Sequence, residues 1–161
     1  MVAADEQHDV EIDLGRWSAL ARAVLVDEGY EGELTLTFVD RDDMAALNAE
    51  QRGVDGPTDV LSFPLDADLG PDDVPVAGVP VLLGDVVICP AVAAEAAPMH
   101  AGSLDDELAL LVVHGVLHVL GHDHAEAGDT ELMQARELHH LEAWHWNGPT
   151  PEGFSLTHAE H

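Results

Sequence analysis

Between Leu108 and Leu120 every residue is apolar except His114, Gly115 and His118. A helix that is apolar on all sides has no solvent face, so this segment must be wrapped by the other elements and form the centre of the fold. Its two histidines are then carried into or beside the core. Ser103 stands where it can cap the start, with Asp106 three residues on in a variant of the capping box, and Gly121 is placed to end the helix.

The rest of the chain supplies partners for that helix. Val10, Ile12 and Leu14 alternate with acids and predict a short first strand. Trp17, Leu20, Ala21, Val24 and Leu25 recur at the helical period, and Gly29 closes a helix ending near Glu28. Leu34, Leu36 and Phe38 alternate with threonines, the pattern of a half-buried strand. Asp40 is a good cap for a helix through Met44 and Leu47 to Gly53. Val60 to Phe63 reads as a short strand, and Leu82 to Cys89 as a central one because its run of Val86, Val87 and Ile88 is unbroken. Pro90 suits the first turn of a helix running to Ala97. A last helix from about Thr130 to Trp146 is amphipathic through Leu132, Leu138, Leu141 and Trp144. The length predicts one domain with a core at about residues 10–146. Residues 66–80, dominated by Pro, Gly and Asp, read as a surface loop, and 147–161 as a frayed tail.

Aromatic residues are only 4% of the chain, so the core must be built from Val, Leu and Ala. Thirty-two acids face five arginines and no lysine, a formal charge of −27. Such a chain has no general attraction for phosphate or anionic lipid, which excludes a DNA-coating protein and a polybasic membrane protein. The single cysteine, Cys89, excludes an internal disulfide framework and a Cys-rich zinc finger; it reads as a core thiol. Met1 to Val10 has neither a basic residue nor an apolar run, and no stretch approaches the roughly 20 apolar residues that span a bilayer. The expected compartment is the cytoplasm.

The chemistry sits in His114-Gly-Val-Leu-His118-Val-Leu-Gly121-His-Asp-His124. Residues four apart on a helix lie on one side about 6 Å apart, so two imidazoles can share an ion. A turn at Gly121 lets His124 return as a third ligand. Three neutral imidazoles leave one position of a tetrahedral Zn²⁺ open, the layout of a catalytic site; another divalent metal remains open. A saturated structural metal would instead take a fourth ligand from His122 or Asp123. The spacing H-x-x-x-H-x-x-G-x-x-H is that of metzincin peptidases, but those need Glu directly after the first histidine as general base, and this chain has Gly115.

The same segment is similar to the fingerprint H-G-x-L-H-L-x-G-Y-D-H of the YbeY-type bacterial rRNA maturation factors. A second block of that family, N-x-x-x-R-x-x-x-x-P-T-D-V-L-S-F-P, is matched by Asn48, Arg52 and Pro57 through Pro64, and a third, L-G-D-I-x-I, by Leu83-Gly84-Asp85-Val86-Val87-Ile88. The blocks keep the family's order, and the resemblance runs from about Val10 to about Trp146. It implies an α+β fold: a small central mixed sheet with about five packed helices and the metal site at the end of the buried helix. It implies one Zn²⁺ on His114, His118 and His124, and a functional role for Arg52. The implied activity is a metal-dependent, single-strand-specific endoribonuclease that matures the 3′ end of small-subunit rRNA and serves ribosome quality control. Implied partners are single-stranded RNA, a small-subunit ribosomal protein and an Era-type GTPase, with no DNA and no membrane. His122 stands where the family has tyrosine.

Arg52 has a guanidinium fork suited to phosphate, or is an ordinary helix-end arginine. Asp59, Asp85 and Asp123 are placed either to orient a ligand histidine or to brace turns and strand ends, and Asp123 is also the nearest proton acceptor. Against a charge of −27, only Arg52, Arg41 or Arg136 and the metal can oppose phosphate, so RNA binding is expected to be salt-sensitive or partner-assisted. The competing class is a non-catalytic, zinc-stabilised ribosome-assembly factor; a third is a metallohydrolase acting on a small or peptide substrate. His139, His140 and His145 read as surface residues of the last helix, and Trp144 and Trp146 as packing anchors.

Overall fold

The structure, a computed structural model, describes residues 1–30, 32–64, 82–99, 101–121, 127–152 and 154. Its elements are β1 (Val2–Asp5), α1 (Leu14–Asp27), β2 (Glu33–Phe38), α2 (Arg41–Arg52), β3 (Val60–Pro64), β4 (Leu82–Ile88), α3 (Pro90–Ala96), α4 (Leu104–Val119) and α5 (Ala127–His140), the last continued by a wider π turn at Leu141–His145. The predicted surface loop at 66–80 lies outside the described residues.

The strands form one mixed sheet in the order β1-β2-β4-β3, with β1, β2 and β4 parallel and β3 antiparallel at the edge. Strand alternation divides the side chains between two faces. Leu34, Leu36, Phe38, Val86 and Ile88 join α1 and α4 in the main core, and Val87, Cys89 and Leu61 pack with Met44 of α2 on the other side. α4 contacts α1, α3, α5, β3 and β4, which is why it can be apolar all round. Its residues Leu108 to Val113, Val116 and Leu117 are fully buried. This is the expected α+β architecture, with five α-helices among the described residues and the histidine-bearing helix at the centre. Among the described residues no helix is long and apolar enough to cross a membrane.

The N-terminus departs from expectation. The first strand is Val2–Asp5, pairing from Val2–Thr35 to Asp5–Phe38, so the core begins before residue 10. Val10, Ile12 and Leu14 are not a strand: Gln7 folds the chain back there, its amide donating to Val10 O (2.8 Å) and Asp5 Oδ1 (2.9 Å) while its carbonyl accepts from Val10 N (3.0 Å). Asp13 then caps α1 by accepting from Arg16 N. The alternation of Val10, Ile12 and Leu14 comes from an approach segment whose apolar side chains lean on the core, not from a ladder.

Two further expectations change at the C-terminal end. The inward face of α5 and the π turn is Met133, Glu137, His140 and Leu141, whereas Leu132 is 55% exposed and Trp144 46%. The apolar phase read from Leu132 and Trp144 is therefore rotated from the true one, and His140 is fully buried rather than at the surface. The described start of the tail is not frayed: Thr150 donates twice to Glu142 Oε2 at 2.9 Å, and Phe154 packs edge-on against Trp146. Ser103 does cap α4 through Asp106 N (3.2 Å), but the Asp106 carboxylate does not complete the box. It accepts from Trp146 Nε1 (2.9 Å) and meets His145 Nε2 (2.8 Å), tying the end of the last helix to the start of α4.

Candidate metal centre

The site grows from the contact between α4 and the edge of the sheet. At Gly115 an added Cβ would lie 2.6 Å from Val86 Cγ1, 3.3 Å from its Cγ2 and 3.4 Å from Ser62 Oγ. Glycine here is what lets the helix approach the sheet. Ser62 Oγ donates to Gly115 O (3.3 Å), fastening β3 to the same helical turn. Gly84 does the matching work on β4: its φ is +155° and a Cβ would stand 2.5 Å from Phe63 O and 2.9 Å from Val119 Cγ1. The glycine after the first histidine is thus a packing residue. A glutamate side chain there would drive into Val86, so the position that carries the metzincin base has no room for one.

Close approach of α4 to β3 leaves His114 and His118 facing a cleft of about 200 Å³, lined also by Arg52, Val60, Leu61 and Ser62. The two imidazole centroids are 6.2 Å apart. His114 is buried, and its Nδ1 lies 3.0 Å from Oε1 of the equally buried Glu137 on α5. With Glu137 ionised, its carboxylate can only accept, which puts the proton on Nδ1 and leaves the lone pair on Nε2. That is the tautomer and the bracing a metal-binding histidine requires.

Glu137 is not among the residues that the motifs single out, although one signal for it is present. On a helix whose inward stripe is Met133, Glu137, His140 and Leu141, the glutamate occupies a core position. A buried carboxylate is costly without a polar partner, and the buried His114 is one.

Arg52 closes the other side of the cleft from the last turn of α2. Arg16, Arg41 and Arg136 pair with Asp105, Glu95 and Glu28 respectively. Arg52 makes no ion pair among the described residues and its side chain is exposed. Of the cations named against phosphate, Arg41 and Arg136 are therefore already neutralised. Asn48, one helical turn before Arg52 and buried, donates from Nδ2 to Gly56 O (2.8 Å) and pins the loop that joins α2 to β3. The motif spacing does not reveal that role.

The acidic residues separate. Asp59 Oδ1 accepts from Val60 N (2.8 Å) and Thr58 Oγ1 (3.4 Å), and its carbonyl accepts from Cys89 N (2.9 Å), so it braces the entry to β3. Asp85 pairs with Phe63 and shares the face of Val87, opposite to Val86 and α4. The structure does not bring it to the histidines, because strand alternation turns it away. His122, Asp123 and His124 lie outside the described residues, so the third expected ligand and the nearest proton acceptor are not placed here. Among the described residues lining the cleft there is no carboxylate.

Comparison with known proteins places the chain in a family. The family model described as Endoribonuclease YbeY matches residues 2–145. The Endoribonuclease YbeY of Salinispora tropica is 46% identical over 140 residues, covering 83% of this chain and 89% of that one. That of Acidothermus cellulolyticus is 46% identical over 146 residues, covering 84% and 85%. Among solved structures, the solution structure of a Thermotoga maritima protein aligns with a TM-score of 0.58 at 25% identity, covering 91% of this chain and 93% of that one. With the family model matching nearly the whole described fold and relatives at 46% identity, the chain belongs to the Endoribonuclease YbeY family.

Proposed function

We propose that this chain is a cytoplasmic metal-dependent endoribonuclease that cleaves single-stranded RNA in the maturation of small-subunit rRNA. The observation that carries the reading is the meeting of His114, His118 and Arg52 in one cleft, the arginine without an ion pair among the described residues. The donor set fits a zinc ion: His114 and His118 share a face of α4, Glu137 fixes the His114 tautomer, and His124 is the third ligand by family resemblance. Zinc bound there would supply charge stabilisation at phosphate oxygens and activation of a nucleophile near neutral pH.

The protein's own groups do the rest. Arg52 offers its planar fork to a non-bridging phosphate oxygen, and with no carboxylate partner among the described residues it loses little by doing so. Asn48 and Gly53 fix the end of α2 and hence the reach of Arg52. Ser62 is occupied by the Gly115 carbonyl and holds the cleft wall rather than acting as a nucleophile. Few cations for so negative a chain make affinity depend on this cleft and on partners, so a small-subunit ribosomal protein and an Era-type GTPase are the expected company. Peptidase chemistry is disfavoured by the packing at Gly115.

The test is cleavage of one labelled RNA presented as a single strand and as a perfect duplex. The single strand should be cut and the duplex spared, and His118→Ala should abolish cutting. Equal cutting of both forms, or an active His118→Ala, would overturn the proposal.

A further inference from the structure

A second group of metal-ligating side chains lies at the C-terminal ends of α1 and α5. Asp27 of α1 and His139 and His140 of α5 each bring one ligand atom into a cluster whose members all lie within 4.8 Å of one another. Asp27 Oδ2 is 2.6 Å from His139 Nε2 and 3.3 Å from His140 Nδ1. Ligand atoms bound at about 2.0–2.1 Å on a tetrahedral zinc stand roughly 3.3 Å apart, so only small side-chain movements separate this cluster from a coordination shell.

Two independent features point to a cation there. His140 is fully buried, yet neither of its ring nitrogens makes a hydrogen bond among the described residues; Nε2 lies 3.6 Å from Glu28 Oε2. A buried imidazole without a hydrogen-bond partner is costly, and coordination would satisfy Nδ1. The electrostatic setting also favours a cation beside Asp27. α1 has no basic residue in its last turn, and Asp27 with the cap residue Glu28 puts two acids at the negative end of its dipole. Arg136 neutralises Glu28, and Asp27 faces His139, His140 and the Trp144 indole. Burial holds the His140 imidazole below its ordinary pKa, keeping it neutral and able to donate a lone pair.

We infer that Asp27, His139 and His140 form an accessory site for a divalent transition-metal ion, separate from the His114–His118 cleft. A set of two imidazoles and one carboxylate suits Zn²⁺, Co²⁺ or Ni²⁺ rather than Mg²⁺ or Ca²⁺. The incoming ion takes the place of the direct Asp27–His139 contact, with His139 binding through Nε2 and carrying its N–H on Nδ1. His140 stands one turn beyond Glu137, so an ion here clamps α1 to the part of α5 that braces His114.

The test is a Co²⁺ titration of the full chain, followed by absorption and metal analysis. His139→Gln and Asp27→Asn should each bind one equivalent fewer than wild type, while His118→Ala keeps that equivalent and loses a different one. In the unmutated protein, Zn²⁺ should shift the ring-nitrogen resonances of His139 and His140, which reads the site without any risk of misfolding. Equal stoichiometry in wild type, His139→Gln and Asp27→Asn, or His139 and His140 resonances that Zn²⁺ leaves unmoved, overturns the inference.

Discussion

Replacing Gly115 by alanine tests whether the helix–sheet contact, rather than chemistry, dictates the residue after the first histidine. The new methyl would stand 2.6 Å from Val86 Cγ1, more than an ångström inside the optimum of about 3.5–4.0 Å for carbon pairs. Val86 is fully buried on a central strand and β-branched, so it has no rotamer into which to retreat. Overpacking of this kind costs about 1–3 kcal/mol, and the better helix propensity of alanine returns about 1 kcal/mol, leaving a net loss of about 0–2 kcal/mol. Val86→Ala alone should cost about 2 kcal/mol through lost burial and a cavity. In the double variant the alanine methyl has space, so the two losses should fall short of additivity by about 1–2 kcal/mol. Urea denaturation of the four proteins measures this cycle. Additivity within about 0.5 kcal/mol would refute the packing explanation of Gly115.

Other consequences are as specific. Glu137→Ala should weaken zinc binding by about 10–100-fold, read by competition with a chromogenic chelator, because His114 loses its tautomeric brace; unchanged affinity would make Glu137 a structural residue only. Asn48→Ala should destabilise the fold by about 1–2 kcal/mol in chemical denaturation, by freeing the Gly56 loop from its buried hydrogen bond. Arg52→Ala should leave stability within about 0.5 kcal/mol, since the side chain is exposed and has no ion pair among the described residues, while RNA cleavage falls by about 100-fold. Burial raises the Cys89 thiol pKa and so lowers its thiolate fraction. A disulfide reagent should label it at the rate of unfolding, and rapid labelling of the native protein would contradict its burial.

Legibility in the sequence tracks how each element is buried. α4, β2 and β4 can be read because their apolar patterns are long and each satisfies a single demand: burial on all sides, on alternate sides, or on both faces of a central strand. β1 cannot, because an edge strand of Val2-Ala-Ala-Asp5 carries almost no hydrophobic pattern and exists through backbone pairing with β2. The phase of α5 is hidden for a related reason. Half of its inward stripe is polar: Glu137 and His140 sit where apolar residues would be sought, and Leu132 and Trp144 are solvent-facing. Within the site, His114, His118 and Arg52 are legible from spacing and family resemblance, and the structure puts all three on one cleft. The bracing residues are not, because Glu137 is distant in sequence from His114 and meets it only through the α4–α5 packing. Asp85 shows the converse: it is adjacent in sequence to Val86, which touches the helix, but the pleat sends it to the opposite face.

The most direct test of the proposed role of the cleft is cleavage of a labelled single-stranded 3′-end rRNA fragment by identically purified, metal-quantified wild type, His114→Ala and Arg52→Ala. Wild type should cut, His114→Ala should lose both bound metal and activity, and Arg52→Ala should keep its metal while losing most of its activity. Equal cleavage by all three proteins, or none by the metal-loaded wild type, would contradict the assignment of His114, His118 and Arg52 to one ribonuclease site.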